Sequence, residues 1–128
     1  MGVINKLRCA NCEYEPASRT VFQCPECRRV LEVDVTIDHL GRLDFARMRA
    51  NHDRSIWRWF EFFPVAKRAS IVSLGEGDTP LIHAARLGGE LRIHNLFLKN
   101  DTVLPTGSLK DRSNSVGISV ARELGFDT

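Results

Sequence analysis

Four cysteines near the start of the sequence are spaced as the ligands of one metal ion. Cys9 and Cys12 form one C-x-x-C pair, and Cys24 and Cys27 form a second pair after eleven intervening residues. Each pair presents two sulfurs from one tight turn, and a hairpin brings the two turns together. Four thiolates at tetrahedral corners make a structural zinc site with no open position for substrate or water. We therefore predict structural Zn²⁺ here; a redox dithiol and a site that has lost its metal are the alternatives.

A lysine later in the sequence is placed for a different chemistry. Lys110 follows a predicted loop over 101–107 and stands just inside a helix predicted over 108–124. Ser108 is suited to cap that helix, and Gly125 to end it. The positive end of the helix dipole disfavours an ammonium there, and a dry cavity would favour the neutral amine further. A neutral amine can form an imine with an aldehyde. By position alone, a solvated surface lysine is the competing interpretation.

Three regions must position these groups. The region 1–37 holds the cysteines with five basic and five acidic residues, and its patterns predict strands over 20–23 and 30–37. The region 38–72 is a connecting arm with a net charge of +3. The region 73–128 is predicted to begin an α/β domain.

Within these regions, smaller patterns make further predictions. The aromatic run 56–63 predicts a short helix whose rings pack the arm onto a larger body, because so dense an exposed aromatic patch would be sticky. Strands are predicted over 91–94 and 95–99. One face of the helix over 108–124 is predicted to pack closely on a sheet. That face consists of Leu109, Ser113, Val116, Gly117, Val120 and Leu124.

Composition limits the class of protein. The 128 residues are 43% hydrophobic and 27% charged, which is ordinary for a globular protein. The net charge of +2 is too small to imply a nucleic-acid or membrane partner. No run approaches the ~20 apolar residues that span a bilayer, and the first residues do not resemble a signal peptide. We therefore expect a cytoplasmic protein whose cysteines stay reduced.

The residues around Lys110 resemble a known signature. The segment 105–112 reads Pro-Thr-Gly-Ser-Leu-Lys-Asp-Arg, which is similar to the P-T-G-S-F-K-D-R of fold-type II pyridoxal-phosphate enzymes. In that signature the lysine binds the cofactor as an imine. The segment 75–81 reads Gly-Glu-Gly-Asp-Thr-Pro-Leu, which is similar to the G-E-G-x-T-P-L of threonine synthases. The cysteine pairs and the Trp-rich arm also resemble one branch of that family, so the resemblance covers essentially the whole sequence.

The resemblance implies a fold and an activity. The fold would be a small zinc-ribbon-like β module at 1–37, a linker arm at 38–72, and the amino-terminal part of an α/β fold-type II domain at 73–128. Lys110 would be the catalytic and cofactor-binding residue, carrying pyridoxal 5′-phosphate covalently. The substrate would be an amino acid, O-phosphohomoserine, which is converted to threonine and phosphate in threonine biosynthesis. Asp111 and Arg112 would be structural residues of the helix start.

The sequence departs from the family pattern at three positions. Leu104 stands where the family commonly has Asn, Leu109 replaces an aromatic residue, and Ser113 replaces a common Gly. Leu104 and Leu109 flank the expected cofactor pocket, so they leave the substrate open. A serine/threonine ammonia-lyase and a cysteate synthase-like enzyme of the same fold are the alternatives.

Later parts of a fold-type II domain are not found in the sequence. The family's Gly-rich loop for the cofactor phosphate is among them, so we expect an amino-terminal fragment that is inactive alone. An alternative of another class is a zinc-ribbon module that binds nucleic acid or protein. The balanced charges of 1–37 argue against nucleic acid. A homo-oligomer is left open.

Overall fold

The fold is built from short elements joined by long ordered loops. The computed structural model describes residues 5–35 and 44–126. None of the helices in these two ranges is long and apolar enough to cross a membrane. The regular elements are β1 (Asn5–Arg8), β2 (Glu32–Val35), α1 (Phe45–Ala50), β3 (Leu81–His83), α2 (Ala85–Leu91), β4 (Phe97–Lys99) and α3 (Lys110–Glu123), and 3₁₀ helices span Ile56–Phe62, Arg68–Ser70 and Asp101–Val103.

The cysteine-bearing module contains one small sheet. Strands β1 and β2 pair antiparallel, with Arg8 opposite Glu32. The strand predicted over 30–37 is therefore confirmed at Glu32–Val35, and its last two positions lie outside the described residues. Strand β1 was not predicted from the sequence. A four-residue strand without strict alternation gives little signal until its partner is known.

The strand predicted over 20–23 is wrong. Only Gln23 forms a bridge, with Val30. The preceding residues turn instead, because the Ser18 hydroxyl accepts a hydrogen bond from the backbone N–H of Thr20 at 3.2 Å. Serine side chains compete with regular structure in this way. The segment is still tied to the next one, since the backbone N–H of Leu31 donates to the carbonyl of Phe22 at 2.9 Å.

The second sheet is also small and antiparallel. Strands β3 and β4 pair with Leu81 opposite Lys99 and His83 opposite Phe97. The strand predicted over 95–99 is thus confirmed at Phe97–Lys99. Both observed sheets are antiparallel pairs, so the parallel sheet of a fold-type II domain remains a prediction.

The strand predicted over 91–94 is wrong, because helix α2 occupies its start. Leu91 is the last residue of α2, and Arg92 ends the helix with a left-handed φ of 57°. The backbone N–H of Ile93 then donates to the carbonyl of Gly88 at 2.7 Å. A Cβ atom at Gly88 would lie 2.5 Å from the carbonyl oxygen of Ile93. Because Gly88 has no side chain, the backbone can make this close turn. The turn forms in place of the strand that the short apolar alternation predicted.

The aromatic arm forms the main hydrophobic core of the described chain. The predicted helix over 56–63 is confirmed as the 3₁₀ helix Ile56–Phe62, which the Ser55 hydroxyl caps by accepting from the N–H of Trp57. Trp57 is 1% exposed, and its ring meets Phe63 edge-on at 5.2 Å between centroids. The predicted packing of the arm onto a larger body is confirmed as well, since Val116 and Val120 of α3 pack against this cluster.

Helix α3 turns a polar face to the arm. Its buried residues are Asp111, Ser115 and Ser119, spaced by four. Ser115 accepts from the indole N–H of Trp57 at 3.0 Å and donates to the carbonyl of Val72 at 2.7 Å. Ser119 accepts from the backbone N–H of Val72 at 2.8 Å.

The packing of one face of α3 on a sheet stays a prediction, because the described sheets are two short antiparallel pairs. Only Val116 and Val120 of that face pack inward, and both contact the arm. Leu109 and Leu124 are exposed. The helix itself is confirmed at Lys110–Glu123, within the predicted bounds.

The end of α3 fastens the cysteine module to the arm. The carboxylate of Glu123 accepts from the backbone N–H groups of Ala66 and Lys67 and pairs with Arg19. Arg19 also donates to the carbonyl of Pro64. Burial alone would raise the pKa of Glu123, but the two backbone donors and Arg19 outweigh it and lower that pKa.

We predict that Trp57→Phe lowers the free energy of unfolding by about 2 kcal/mol, because it removes buried ring volume and leaves Ser115 without its donor. Urea denaturation followed by circular dichroism measures the loss. Trp59→Phe is the matched control, since Trp59 is only partly buried and we expect a much smaller loss there. Equal losses at the two positions would contradict this account of the core.

We predict that Glu123→Gln lowers the melting temperature at neutral pH and that the difference from wild type shrinks in acid. A carboxyl whose folded pKa is lowered stabilises the fold above its unfolded pKa of about 4.3, and this stabilisation is lost as the pH falls through the folded pKa. Thermal melts from pH 7 to pH 3 measure the difference. Glu90→Gln, on an exposed ion pair with Arg86, is the control. A difference independent of pH would count against the ionic role of Glu123.

Candidate functional site

The four predicted metal ligands lie together in the amino-terminal module. The sulfur atoms of Cys9, Cys12, Cys24 and Cys27 all lie within 4.8 Å of one another, and those of Cys9 and Cys27 are 3.5 Å apart. All four are free thiols rather than disulfides. Zn–S bonds of about 2.3 Å separate tetrahedral sulfurs by about 3.8 Å. The donor set and its spacing therefore fit a tetrahedral metal ion.

Two copies of the same turn bring these sulfurs together. In the first, the N–H of Cys9 donates to the carbonyl of Tyr14, and the N–H of Glu13 donates back to the carbonyl of Cys9. Cys24 makes the same pair of bonds with its own loop. The residue after each second cysteine has a left-handed φ, 56° at Glu13 and 59° at Arg28. Neither residue is glycine, so the left-handed conformation costs conformational free energy at both positions. A metal ion that binds both turns would offset this cost.

The thiols are unequal in acidity. The backbone N–H of Arg29 and the Cys12 thiol lower the pKa of Cys27 to about 7. The hydrogen bond with Cys27 raises the pKa of Cys12 to about 12. One proton shared between two sulfurs gives this pattern, because ionisation of one thiol disfavours ionisation of the other. A divalent cation removes that conflict, since it stabilises all four thiolates at once.

The Gly75–Leu81 loop is anchored at its start to the aromatic arm. Glu76 is fully buried; its carboxylate accepts from the hydroxyl of Ser73 and the N–H of Leu74, and its carbonyl accepts from the N–H of Ile56 at 2.7 Å. Gly77 has a φ of 149°, and a Cβ there would lie 2.7 Å from the carbonyl oxygen of Arg54. The two backbones can approach this closely only because Gly77 has no side chain.

The other end of that loop is anchored to the lysine region. Thr79 is buried, and its hydroxyl donates to Asp101 at 2.7 Å. The guanidinium of Arg112 donates to the same hydroxyl at 3.2 Å and to Asp101 at 2.9 Å. The Thr79 hydroxyl thus donates one hydrogen bond and accepts one inside the protein, so Thr79 supports the loop from within. Sequence reasoning did not single out Asp101, because one acidic residue in a loop carries no spacing signal.

Lys110 is the first residue of α3 and is exposed. The cap residue of α3 is Leu109, which makes no side-chain cap hydrogen bond, so the prediction of Ser108 as the cap is wrong by one residue. The Ser108 hydroxyl still accepts a hydrogen bond from the backbone N–H of Lys110 at 3.3 Å. Asp111 is buried, and its carboxylate accepts from both the backbone N–H and the hydroxyl of Thr106. The dry surroundings considered for Lys110 are not supplied by the residues described. The loop that carries Lys110 is nevertheless held firmly.

A cavity lies beside the Lys110 loop. Its volume is about 440 Å³, and it is bordered by Gly107 and Leu109 on one side and by Leu98 and Lys99 on the other. Lys99 is not free, because its ammonium group donates to the carbonyl of Thr79. In the described part of the chain, the amine of Lys110 has no hydrogen bond or ion pair. Lys110 therefore has an unengaged amine, and it directly follows a residue that lines this cavity, Leu109.

Known proteins with similar sequences are threonine synthases. The protein of Methanocaldococcus jannaschii is 35% identical over 121 residues, which is 94% of this chain and 30% of the relative. That of Methanosarcina acetivorans is 32% identical over 124 residues, which is 95% of this chain and 29% of the relative. That of Synechocystis is 43% identical over 68 residues, which is 50% of this chain and 17% of the relative. The chain is related to the threonine synthases. The resemblance predicted from its motifs is thereby confirmed.

The similarity to the two archaeal threonine synthases covers most of this chain but less than a third of each relative. The two archaeal threonine synthases align with so much of the chain that both the cysteine pairs and the Lys110 loop fall inside the matched region. The chain spans about 30% of the length of these relatives. No protein-family model and no solved structure matches the chain. The threonine synthase relationship therefore rests on sequence similarity.

We predict that the chain binds one Zn²⁺ ion and that removing it with a chelator unfolds the region 5–35. Metal binding contributes on the order of 10 kcal/mol to the folding of such modules. Amide hydrogen exchange measures the effect: the N–H groups of Cys24 and Leu31 should lose protection while the N–H of Ser119 keeps it. Cys24→Ser should mimic metal removal, and Glu26→Gln in the same turn should not. Unchanged protection of Cys24 after verified metal loss would refute the prediction.

Proposed function

We propose that this chain is the amino-terminal part of a pyridoxal-phosphate-dependent threonine synthase and that Lys110 is its cofactor lysine. The reaction would convert O-phosphohomoserine to threonine and phosphate. The relationship to threonine synthases supports the family, and the Lys110 loop supports the residue. All three relatives described above are threonine synthases, which favours this reaction over the ammonia-lyase and cysteate synthase-like alternatives.

The observation that carries the proposal is the contrast between Lys99 and Lys110. Lys99 lines the cavity, and its ammonium group is engaged with the carbonyl of Thr79, whereas Lys110 directly follows Leu109, which also lines the cavity. A lysine that forms an imine must present an unengaged amine at a fixed place. Lys110 has an unengaged amine, and the backbone from which its side chain extends is held through Ser108 and Asp111.

Several residues of the chain would each have a separate part in this reaction. When bound, pyridoxal phosphate supplies an electron sink for chemistry at the substrate's α- and β-carbons. Lys110 would hold the cofactor and, as a free amine, move protons at those carbons. Asp111 and Ser108 would hold the backbone of Lys110 at the helix start. Leu109 and Gly107 would border the space beside the amine.

The four cysteines would have a structural part in the same protein. We propose that Zn²⁺ occupies their tetrahedral set, because four sulfurs leave no position for a substrate. The module is joined to α3 by Arg19, which pairs with Glu123 near the end of the helix that begins at Lys110. A folded module would thus help to fix α3.

We also propose that the 128-residue chain turns over little or no O-phosphohomoserine by itself. It spans about 30% of the length of its threonine synthase relatives, and Lys110 is exposed rather than enclosed. An active site that excludes water strengthens the electrostatic contacts on which catalysis depends. Phosphate release by the pure chain with added cofactor measures this directly, and clear turnover would overturn this part of the proposal.

We predict that pyridoxal phosphate followed by borohydride labels Lys110 ahead of the other lysines of the described chain. Peptide mapping by mass spectrometry gives the label on each lysine. Lys67 is the matched reference, because it is also exposed and its ammonium group has no partner among the described residues. Lys110→Arg should remove the preferred label and leave that on Lys67 unchanged. Label spread evenly over Lys6, Lys67, Lys99 and Lys110 would contradict the proposed function.

A further inference from the structure

Asp101 joins three segments that are distant in the sequence. Its carboxylate accepts from the hydroxyl of Thr79 at 2.7 Å, and both of its oxygens accept from Arg112, Oδ2 from Nε at 3.3 Å and Oδ1 from Nη2 at 2.9 Å. Asp101 itself begins the short 3₁₀ helix after β4. One side chain therefore connects the Gly75–Leu81 loop, the segment after β4, and the first turn of α3.

The contact between Asp101 and Arg112 has a directed geometry. Two parallel N–H donors on one carboxylate form a fork that fixes the relative orientation of the two groups, which a single point charge does not. The side chains are 29% and 30% exposed, so water screens the pair only in part. The hydrogen bonds from Arg112 and Thr79 lower the pKa of Asp101, so the carboxylate stays ionised through the neutral range.

The fork acts on the backbone that carries Lys110. Arg112 lies two residues after Lys110, and Asp111 between them holds Thr106 on the preceding loop. The first turn of α3 is thus hydrogen-bonded both to the loop before it and to Asp101. Since the amine of Lys110 has no partner of its own among the described residues, the held backbone sets the point and the direction from which its side chain extends.

We propose that Asp101 is a positioning residue for Lys110, acting through Arg112 and Thr79 to hold the first turn of α3 against the Gly75–Leu81 loop. This inference rests on the proposed function of Lys110. A shift of about 1 Å in a reacting group can change reactivity about a hundredfold, so a carboxylate that never touches the cofactor can still determine how well Lys110 reacts.

The test compares variants of the Asp101 contact with a variant of a nearby ion pair in the loop 75–81. Asp101→Asn keeps the shape of the side chain and removes its charge, and Arg112→Lys keeps the charge and removes the fork. Asp101→Glu is the conservative variant, which keeps both carboxylate oxygens. Asp78→Asn is the control, because Asp78 pairs with Arg54 and does not contact Asp101.

The measurement is the ratio of label on Lys110 to label on Lys67 after pyridoxal phosphate and borohydride, taken well below each variant's melting temperature. We expect Asp101→Asn and Arg112→Lys to lower this ratio about fivefold or more. Asp101→Glu should restore at least part of it, and Asp78→Asn should leave it unchanged. A purely structural contact would change the melting temperature and not the ratio.

The outcomes separate the two proposals. If wild type shows no preference for Lys110, the proposed function fails and the role of Asp101 fails with it. If wild type prefers Lys110 and Asp101→Asn keeps the wild-type ratio, the proposed function stands and the inference about Asp101 is overturned. If Asp101→Asn and Arg112→Lys both lower the ratio while the control does not, and circular dichroism shows all of them folded, the inference is supported.

Discussion

One face of α3 holds the irregular parts of this protein in place. Asp111, Ser115, Ser119 and Glu123 recur every four residues, so they lie on one side of the helix. Each of them bonds to the backbone of a segment outside the helix, at Thr106, Val72, Val72 again, and Ala66 with Lys67. A chain with few strands must satisfy its buried N–H and C=O groups by other means, and this polar face supplies them.

The two ends of that helix serve different parts of the molecule. At its start, Arg112 is bound to Asp101 and Thr79, and at its end Glu123 is bound to Arg19 of the cysteine module. Fourteen residues of α-helix are about 21 Å long. The cysteine module and Lys110 are therefore joined by one continuous hydrogen-bonded element. The core formed around Trp57 supports the same helix from the side through Ser115, Val116 and Val120.

Features that follow from residues close together in the sequence could be predicted, and features that depend on contacts between distant residues could not. The grouping of four cysteines follows from spacing within single turns, and α3 follows from start and stop signals at Ser108 and Gly125. The polar face of α3 could not be predicted, because serine does not favour helix formation and is ordinarily exposed. The false strand over 91–94 had a similar cause, since the close approach at Gly88 exists only once Ile93 is in place. Asp101 likewise gains its role from partners 22 and 11 residues away.

The structure also separates the two leucines that depart from the family pattern. Leu104 is 5% exposed and is part of the packed loop, whereas Leu109 is 66% exposed and borders the cavity beside Lys110. A buried leucine in place of a polar residue is compatible with loop packing, because it leaves no polar group unsatisfied. Leu109 instead leaves its side chain at the edge of open space. Of the two departures from the family pattern, only Leu109 is therefore placed to affect substrate choice under the proposed function.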